Sequence, residues 1–168
     1  MKQMGIFSPS DSLQEKIQDT YFLYIDGASR NNPGQAGVGV YIMQDSLPII
    51  QQGCYVGIKT NNQAEYLALL LGLYFAKKTV RQVDHLTIYS DSQLLVRQII
   101  GQYKVKNQLL KPLFSMAKKE LSYFSFDIVH VMREQNVMAD MLANKGIDSK
   151  ISVPEGFINL LDQYGLSL

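Results

Sequence analysis

The sequence predicts one α/β domain built on a five-stranded mixed sheet flanked by helices. Three observations predict it. The chain has 168 residues, 46% of them hydrophobic and 18% charged, enough for one domain with a substantial core. Its first part holds three β-rich runs separated by turn residues, and its second part alternates β-rich runs with helical stretches. Three hairpin-linked strands followed by two strands joined through crossover helices give an antiparallel and a parallel part of one sheet. No internal repeat or linker divides the chain.

Residues 1–19 are polar, lack sustained periodicity and contain Pro9, so they read as a flexible leader. Residues 21–26 are a continuous β-rich run closed by Asp26, the pattern of a central strand buried on both faces. Residues 26–34 are rich in turn formers. Residues 37–43 make a second strand, Gln44, Asp45 and Ser46 a hairpin turn, and residues 48–57 a third strand. Thr60 opens a helix reaching residue 78, with Gln63 spaced to complete a capping box. Residues 84–90 form a fourth strand. A helix from Ser92 ends at Gly101, and another covers residues 107–121 with Pro112 in or near its first turn. Residues 124–132 supply the fifth strand. Asn136 then caps a helix through residue 145 that Gly146 stops, which bounds the domain at residues 20–147. A tail, residues 148–168, carries one short helix near residues 155–164.

Composition excludes several classes. The apolar runs are too short to cross a bilayer and no signal-peptide hydrophobic region opens the chain, so it reads as a soluble, cytoplasmic protein without a membrane partner. The lone cysteine, Cys54, excludes an internal disulfide and a thiolate zinc cluster, and reads as a half-buried strand residue. Formal net charge is +1, yet six of the sixteen basic residues and none of the fifteen acidic ones fall between Arg97 and Lys119. Such a stretch is usually a solvated helical face; beside an acidic metal site it also suits a phosphate backbone.

Four carboxylates stand where a folded chain has little use for charge. Asp26 and Asp91 each close an apolar strand, Glu65 interrupts a helix, and Asp140 lies between Val137-Met138-Ala139 and Met141-Leu142-Ala143. If the first and fourth strands are parallel neighbours, Asp26 and Asp91 meet at their carboxyl ends, where α/β sheets place ligands. Glu65 shares a helix face with Asn61, Ala68, Leu69 and Gly72, small enough in part to bring that helix close. Converging carboxylates must be paired, protonated or bound to a cation. Hard divalent ions such as Mg²⁺ or Mn²⁺ fit an all-oxygen donor set.

The segments around these acids are Asp26-Gly27-Ala28-Ser29-Arg30-Asn31-Asn32-Pro33-Gly34, Thr60-Asn61-Asn62-Gln63-Ala64-Glu65, Tyr89-Ser90-Asp91-Ser92-Gln93 and Arg133-Glu134-Gln135-Asn136-Val137-Met138-Ala139-Asp140. With these four ordered motifs, residues 21–147 resemble a type 1 ribonuclease H with its ribonuclease H-like fold. The last motif is more similar to the archaeal and plant-like, reverse-transcriptase-associated branch. The resemblance implies an endoribonuclease that cuts the RNA strand of an RNA–DNA hybrid with two metal ions, Mg²⁺ or Mn²⁺, on Asp26, Glu65, Asp91 and Asp140. One ion would activate water and the other stabilise the leaving 3′-oxygen, giving 5′-phosphate and 3′-hydroxyl ends. It further implies RNA-strand contacts by Ser29, Asn32, Asn61, Asn62, Gln63 and Gln93. Thr60 and Asn107 would hold a DNA phosphate, with Tyr103, Lys104 and Lys106 alongside the strand.

The chain departs from the family pattern at Ile58, where relatives often carry an arginine, and it has no tryptophan. Two residues compete for an assisting role in catalysis. His130 has the spacing of a loop histidine in bacterial relatives but sits in a strand, where a packed histidine is the rival reading. Arg133 matches an arginine of the resembling branch and is preferred. Two alternatives to hybrid cleavage are the same chemistry extended to double-stranded RNA, and a non-catalytic nucleic-acid-binding module. The presence of all four acids speaks against the second. The expected working form is a monomer.

Overall fold

The computed structural model describes residues 19–82 and 84–168; the expected leader lies outside them, Asp19 excepted. Strands β1 (Thr20–Ser29), β2 (Gly34–Gln44) and β3 (Leu47–Lys59) form an antiparallel meander, followed by helix α1 (Asn61–Thr79). Strand β4 (His85–Ser90), helices α2 (Gln93–Ile99) and α3 (Lys111–Leu121), strand β5 (Ser125–His130), and helices α4 (Val137–Asp148) and α5 (Glu155–Gln163) complete the order. The sheet runs β3-β2-β1-β4-β5, with β1 antiparallel to β2 and parallel to β4. This is the mixed sheet that the order of β-rich and helical segments predicts, in the arrangement the ribonuclease H resemblance implies.

The local signals explain most boundaries. Thr60 accepts from the Gln63 amide while the Gln63 side chain accepts from the Thr60 amide, so the capping box is complete. Ser92 caps α2 through the Leu95 amide, and Gly101, at φ +81°, takes the left-handed conformation that ends that helix. Leu23 and Ile25 point from β1 into the core under α1, where Gly72 lies against both.

Five expectations need correction. Strand β1 runs on past Asp26 to Ser29 because β2 pairs with it as far as Ala36, so the turn is shorter than its composition suggests. Strand β1 is also not buried evenly, since Phe22 and Tyr24 on its second face are only half-buried. Helix α3 begins at Lys111, with Asn107 instead accepting from the Leu109 amide in the turn before it. Cys54 is wholly buried, and burial pushes its thiol above the usual range, which removes it as a nucleophile. Gly146 does not stop α4, which continues to Asp148.

Gly146 serves closeness rather than termination. A β-carbon there would lie 2.6 Å from the Cys54 backbone, and one on Gly39 would lie 2.0 Å from the Ala139 carbonyl oxygen. Glycine at Gly39, Gly53 and Gly146 therefore lets α4 lie directly on β2 and β3. Helix α1 covers the opposite face of the sheet, and the two helices enclose the carboxyl end of β1 between them.

Candidate active site

Parallel pairing brings Ile25 opposite Ser90, so the next residues, Asp26 and Asp91, leave adjacent strands at the same level. Glu65 arrives from α1. A β-carbon on Gly27 would sit 2.2 Å from the Ala64 carbonyl carbon, so only glycine allows α1 this close to β1. The same residue donates its amide to Glu65 Oε2 at 3.1 Å. Asp26, Glu65 and Asp91 each present a carboxylate oxygen within 4.8 Å of the other two.

Asp140 comes from the first turn of α4 and completes the group from the other side. It lines the same cleft, of about 530 Å³, together with Asp26, Glu65, Asp91 and Arg133. Arg133, in a 3-10 turn (Arg133–Gln135), donates from Nη2 to Asp140 Oδ1 at 3.1 Å. The start of α4 is tied to β1 because Asn136 donates from Nδ2 to the Ile25 carbonyl at 2.8 Å. That bond replaces the helix-capping role expected of Asn136, whose side chain caps no amide of α4.

The electrostatics of this group are those of a cation site. Burial, with the charges of Asp91 and Asp140 next, raises the Asp26 carboxyl to about 7. Burial also holds Glu65 well above the usual carboxylate range; Asp26 and Asp91 add to that, and the Gly27 amide partly offsets it. Both residues are only 5% exposed. Arg133 is held further into its charged form by the bond to Asp140. Of the two guanidiniums on the cleft, Arg133 bonds to this group while Arg30 pairs with Asp148, and Arg133 by itself cannot neutralise four carboxylates. An all-oxygen cluster in which two buried carboxyls, Asp26 and Glu65, are costly to ionise without a cation matches the donor set of a hard divalent ion, so the residues present fit the expected metal.

The other nominated residues fall into three places. Ser29 and Asn61 line the cleft. Ser29 Oγ donates to the Lys59 carbonyl at 2.9 Å, and Asn32 Oδ1 accepts from the Asn61 amide at 2.9 Å, so the loop after β1 is laced to the start of α1. Asn62 and Gln93 are exposed at the N-termini of α1 and α2, while Thr60 and Gln63 form the capping box. Tyr103, Lys104, Lys106 and Asn107 lie on the segment between α2 and α3, away from the cleft lining, and Arg97 Nη1 donates to the Tyr103 hydroxyl at 2.6 Å.

His130 is no packed strand histidine. It is exposed at the end of β5, with Nε2 3.2 Å from the Asp91 carbonyl oxygen, and it stands outside the cleft lining that includes Arg133. Sequence reading does not nominate Arg30 and Asn144, which also line the cleft. Asn144 donates to the Asp140 carbonyl at 2.9 Å, and its spacing of four from Asp140 was the available signal. Arg30 pairs with Asp148 at 2.6 Å, a partner far away in sequence.

Of the basic stretch, Lys118 Nζ donates to the Ile99 carbonyl at 3.2 Å and Lys119 Nζ lies 5.5 Å from the Tyr164 ring centroid. These two serve packing, whereas Lys104 and Lys106 remain exposed.

Fold and site together define a protein of the ribonuclease H-like class, with a carboxylate cluster at the carboxyl ends of its two central parallel strands. Residues 24–146 match the family model described as reverse transcriptase-like. Ribonuclease HI of Halobacterium salinarum is 39% identical over 127 residues, covering 74% of this chain and 63% of that protein. Ribonuclease H of Coxiella burnetii is 34% identical over 156 residues, covering 81% of this chain and 95% of that protein. The crystal structure of the Halobacterium enzyme superposes with a TM-score of 0.73 at 35% identity, over 77% of this chain and 98% of the other. LC11-RNase H1 in complex with an RNA/DNA hybrid gives 0.70 at 37% identity, over 77% and 97%. The chain belongs to the type 1 ribonuclease H family. It spans somewhat less than two thirds of the length of the Halobacterium protein.

Proposed function

We propose that the protein is an endoribonuclease that hydrolyses the RNA strand of RNA–DNA hybrids. The observation that carries this reading is the convergence of Asp26, Glu65 and Asp91 oxygens within 4.8 Å, with Asp140 on the same cleft. The relative LC11-RNase H1, solved with an RNA/DNA hybrid, supports the substrate class.

In this reading the four carboxylates hold two Mg²⁺ ions, with Mn²⁺ as a substitute. Bound ions of this kind lower the pKa of water and offset negative charge on a phosphate. The chain's own residues do the rest. Asp26, Glu65, Asp91 and Asp140 would hold the ions, Asp26 in its ionised form, and Arg133, bonded to Asp140 on the rim of the cleft, would orient the scissile phosphate. Water oxygen would bond to phosphorus as the bond to the 3′-oxygen breaks, with the proton the water loses balanced by one gained by the 3′-oxygen, leaving 5′-phosphate and 3′-hydroxyl ends.

Ser29, Asn32, Asn61, Asn62, Gln63 and Gln93 read the RNA strand, whose 2′-hydroxyl both donates and accepts. Thr60, Asn107, Tyr103, Lys104 and Lys106 follow the DNA strand. His130 assists less directly than Arg133, because it faces the Asp91 carbonyl and not the cleft. The catalytic domain comprises residues 20–147. The site is complete within one chain, which supports a working monomer. A cytoplasmic location belongs to the same reading. Among the described residues no helix is long and apolar enough to cross a membrane.

The test is cleavage of end-labelled RNA–DNA, RNA–RNA and DNA–DNA duplexes with Mg²⁺ or Mn²⁺. Internal cuts confined to RNA of the hybrid are expected. Cuts in RNA–RNA as well would widen the substrate class, and intact duplexes under both metals would refute the proposal.

A further inference from the structure

Helix α5 lies beyond the residues matched by the family model, and nothing in the carboxylate site uses it. It is nevertheless built into the core. Phe157 is fully buried with its ring centroid 5.8 Å from that of Tyr74 on α1, and Leu161 is 1% exposed. At its C-terminal end the Tyr164 hydroxyl donates to Glu120 Oε1 on α3 at 2.6 Å. The other oxygen of the same carboxylate accepts from Lys77 Nζ on α1 at 2.5 Å. Glu120 is only 4% exposed, so a buried charge depends on one donor from each of two neighbouring helices. Burial and the bond to Glu120 raise the Tyr164 phenol to about 12, which keeps it a donor at any working pH.

Three helices thus meet at one carboxylate, and two of them carry the proposed substrate contacts at their far ends. Helix α1 presents Thr60, Asn61, Asn62 and Gln63 at its N-terminus, and Glu65 one turn further. Asn107 lies in the turn that leads into α3. Helices are stiff rods with 1.5 Å rise per residue, so Lys77 stands ~22 Å along α1 from Asn62. A tilt of about five degrees at the Glu120 junction would displace that end by roughly 2 Å. Shifts of that size in substrate-positioning groups matter for binding and rate.

We infer that α5 is a clamp that fixes the spread between α1 and α3 through Glu120, and so sets the width of the groove that takes the hybrid. Lys77, Glu120 and Tyr164 are its positioning residues. The groove is that of the hybrid nuclease proposed above, and the inference rests on that reading.

The test uses the full chain carrying Tyr164→Phe, which removes only the hydroxyl, assayed well below its melting temperature. For Tyr164→Phe, KM for an RNA–DNA hybrid should rise by about threefold to tenfold, with kcat nearly unchanged, because binding must then fix a groove that the clamp no longer holds. A lowered melting temperature with unchanged KM in Tyr164→Phe would overturn the clamp and leave α5 a purely stabilising element.

A readout without substrate separates this from failure of the proposed activity. Spin labels at Ile58→Cys and Leu109→Cys, both on exposed positions, in a Cys54→Ala background report the distance between the approaches to α1 and α3. Tyr164→Phe should broaden that distance distribution. An unchanged distribution would overturn the clamp whether or not the protein cuts hybrids.

Discussion

Replacing Asp26 with asparagine should remove cleavage and, in metal-free buffer, stabilise the fold. The Asp26 carboxyl rises from 3.8 to about 7 on folding, chiefly through burial and then through Asp91 and Asp140. At 1.36 kcal/mol per pH unit, ionised Asp26 opposes folding by about 4 kcal/mol at pH 8. The sign follows from proton counting. Between pH 3.8 and about 7 the folded state holds the proton that the unfolded state has lost, so stability falls as pH rises through that window and is level above it. At pH 5 the same term is only about 2 kcal/mol. Asparagine carries no charge at either pH, so Asp26→Asn should gain about 2 kcal/mol more at pH 8 than at pH 5. For a domain of this size the difference is roughly 4–8 °C in melting temperature. Thermal melts in chelator at the two pH values measure it directly. A variant destabilised at pH 8, or shifted equally at both, would refute the electrostatic account; retained hydrolysis would refute the role of Asp26.

Three further outcomes follow from the same geometry. Mg²⁺ should raise the melting temperature at pH 8, by about 2.7 kcal/mol of stability at a hundredfold excess over its dissociation constant, and far less at pH 5, where Asp26 keeps its proton. Calorimetric scans with and without metal check this. Arg133→Ala should lower kcat by about a hundredfold, with partial recovery in Arg133→Lys, whereas His130→Ala should change it less than tenfold; steady-state kinetics on a hybrid decide the order. Gly39→Ala should cost about 2 kcal/mol or more in urea unfolding, because its β-carbon would stand 2.0 Å from the Ala139 carbonyl oxygen and α4 would have to move.

How much of this was legible in the chain depends on the range of the interaction concerned. The capping box at Thr60 and the hairpin turn at Asp45 use residues within a few positions of one another, and both appear where the sequence places them. Gly146 shows the limit. Its position after a helical run reads as a stop signal, yet its neighbour is Cys54, some ninety residues earlier, and closeness to that backbone is what requires glycine. His130 was ambiguous for the same reason: a strand pattern says that a side chain alternates, but the packed neighbours decide whether it is covered. The Arg133–Asp140 bond was hidden because the intervening 3-10 turn bends the chain back on itself.

The sequence by itself determined the order of elements, the mixed sheet and the identity of the four carboxylates, because periodicity, turn residues and charge in apolar surroundings are local properties. Only the tertiary structure decided how those acids share one cleft. Parallel pairing of β1 with β4 sets Asp26 beside Asp91, and Gly27 admits α1 with Glu65. Asn136 pins α4, with Asp140, against β1. The tertiary structure also decided that α5 belongs to the core, through a buried carboxylate whose two partners come from helices far apart in the chain. Such contacts depend on shape and burial summed over the whole fold, which no short stretch of residues encodes.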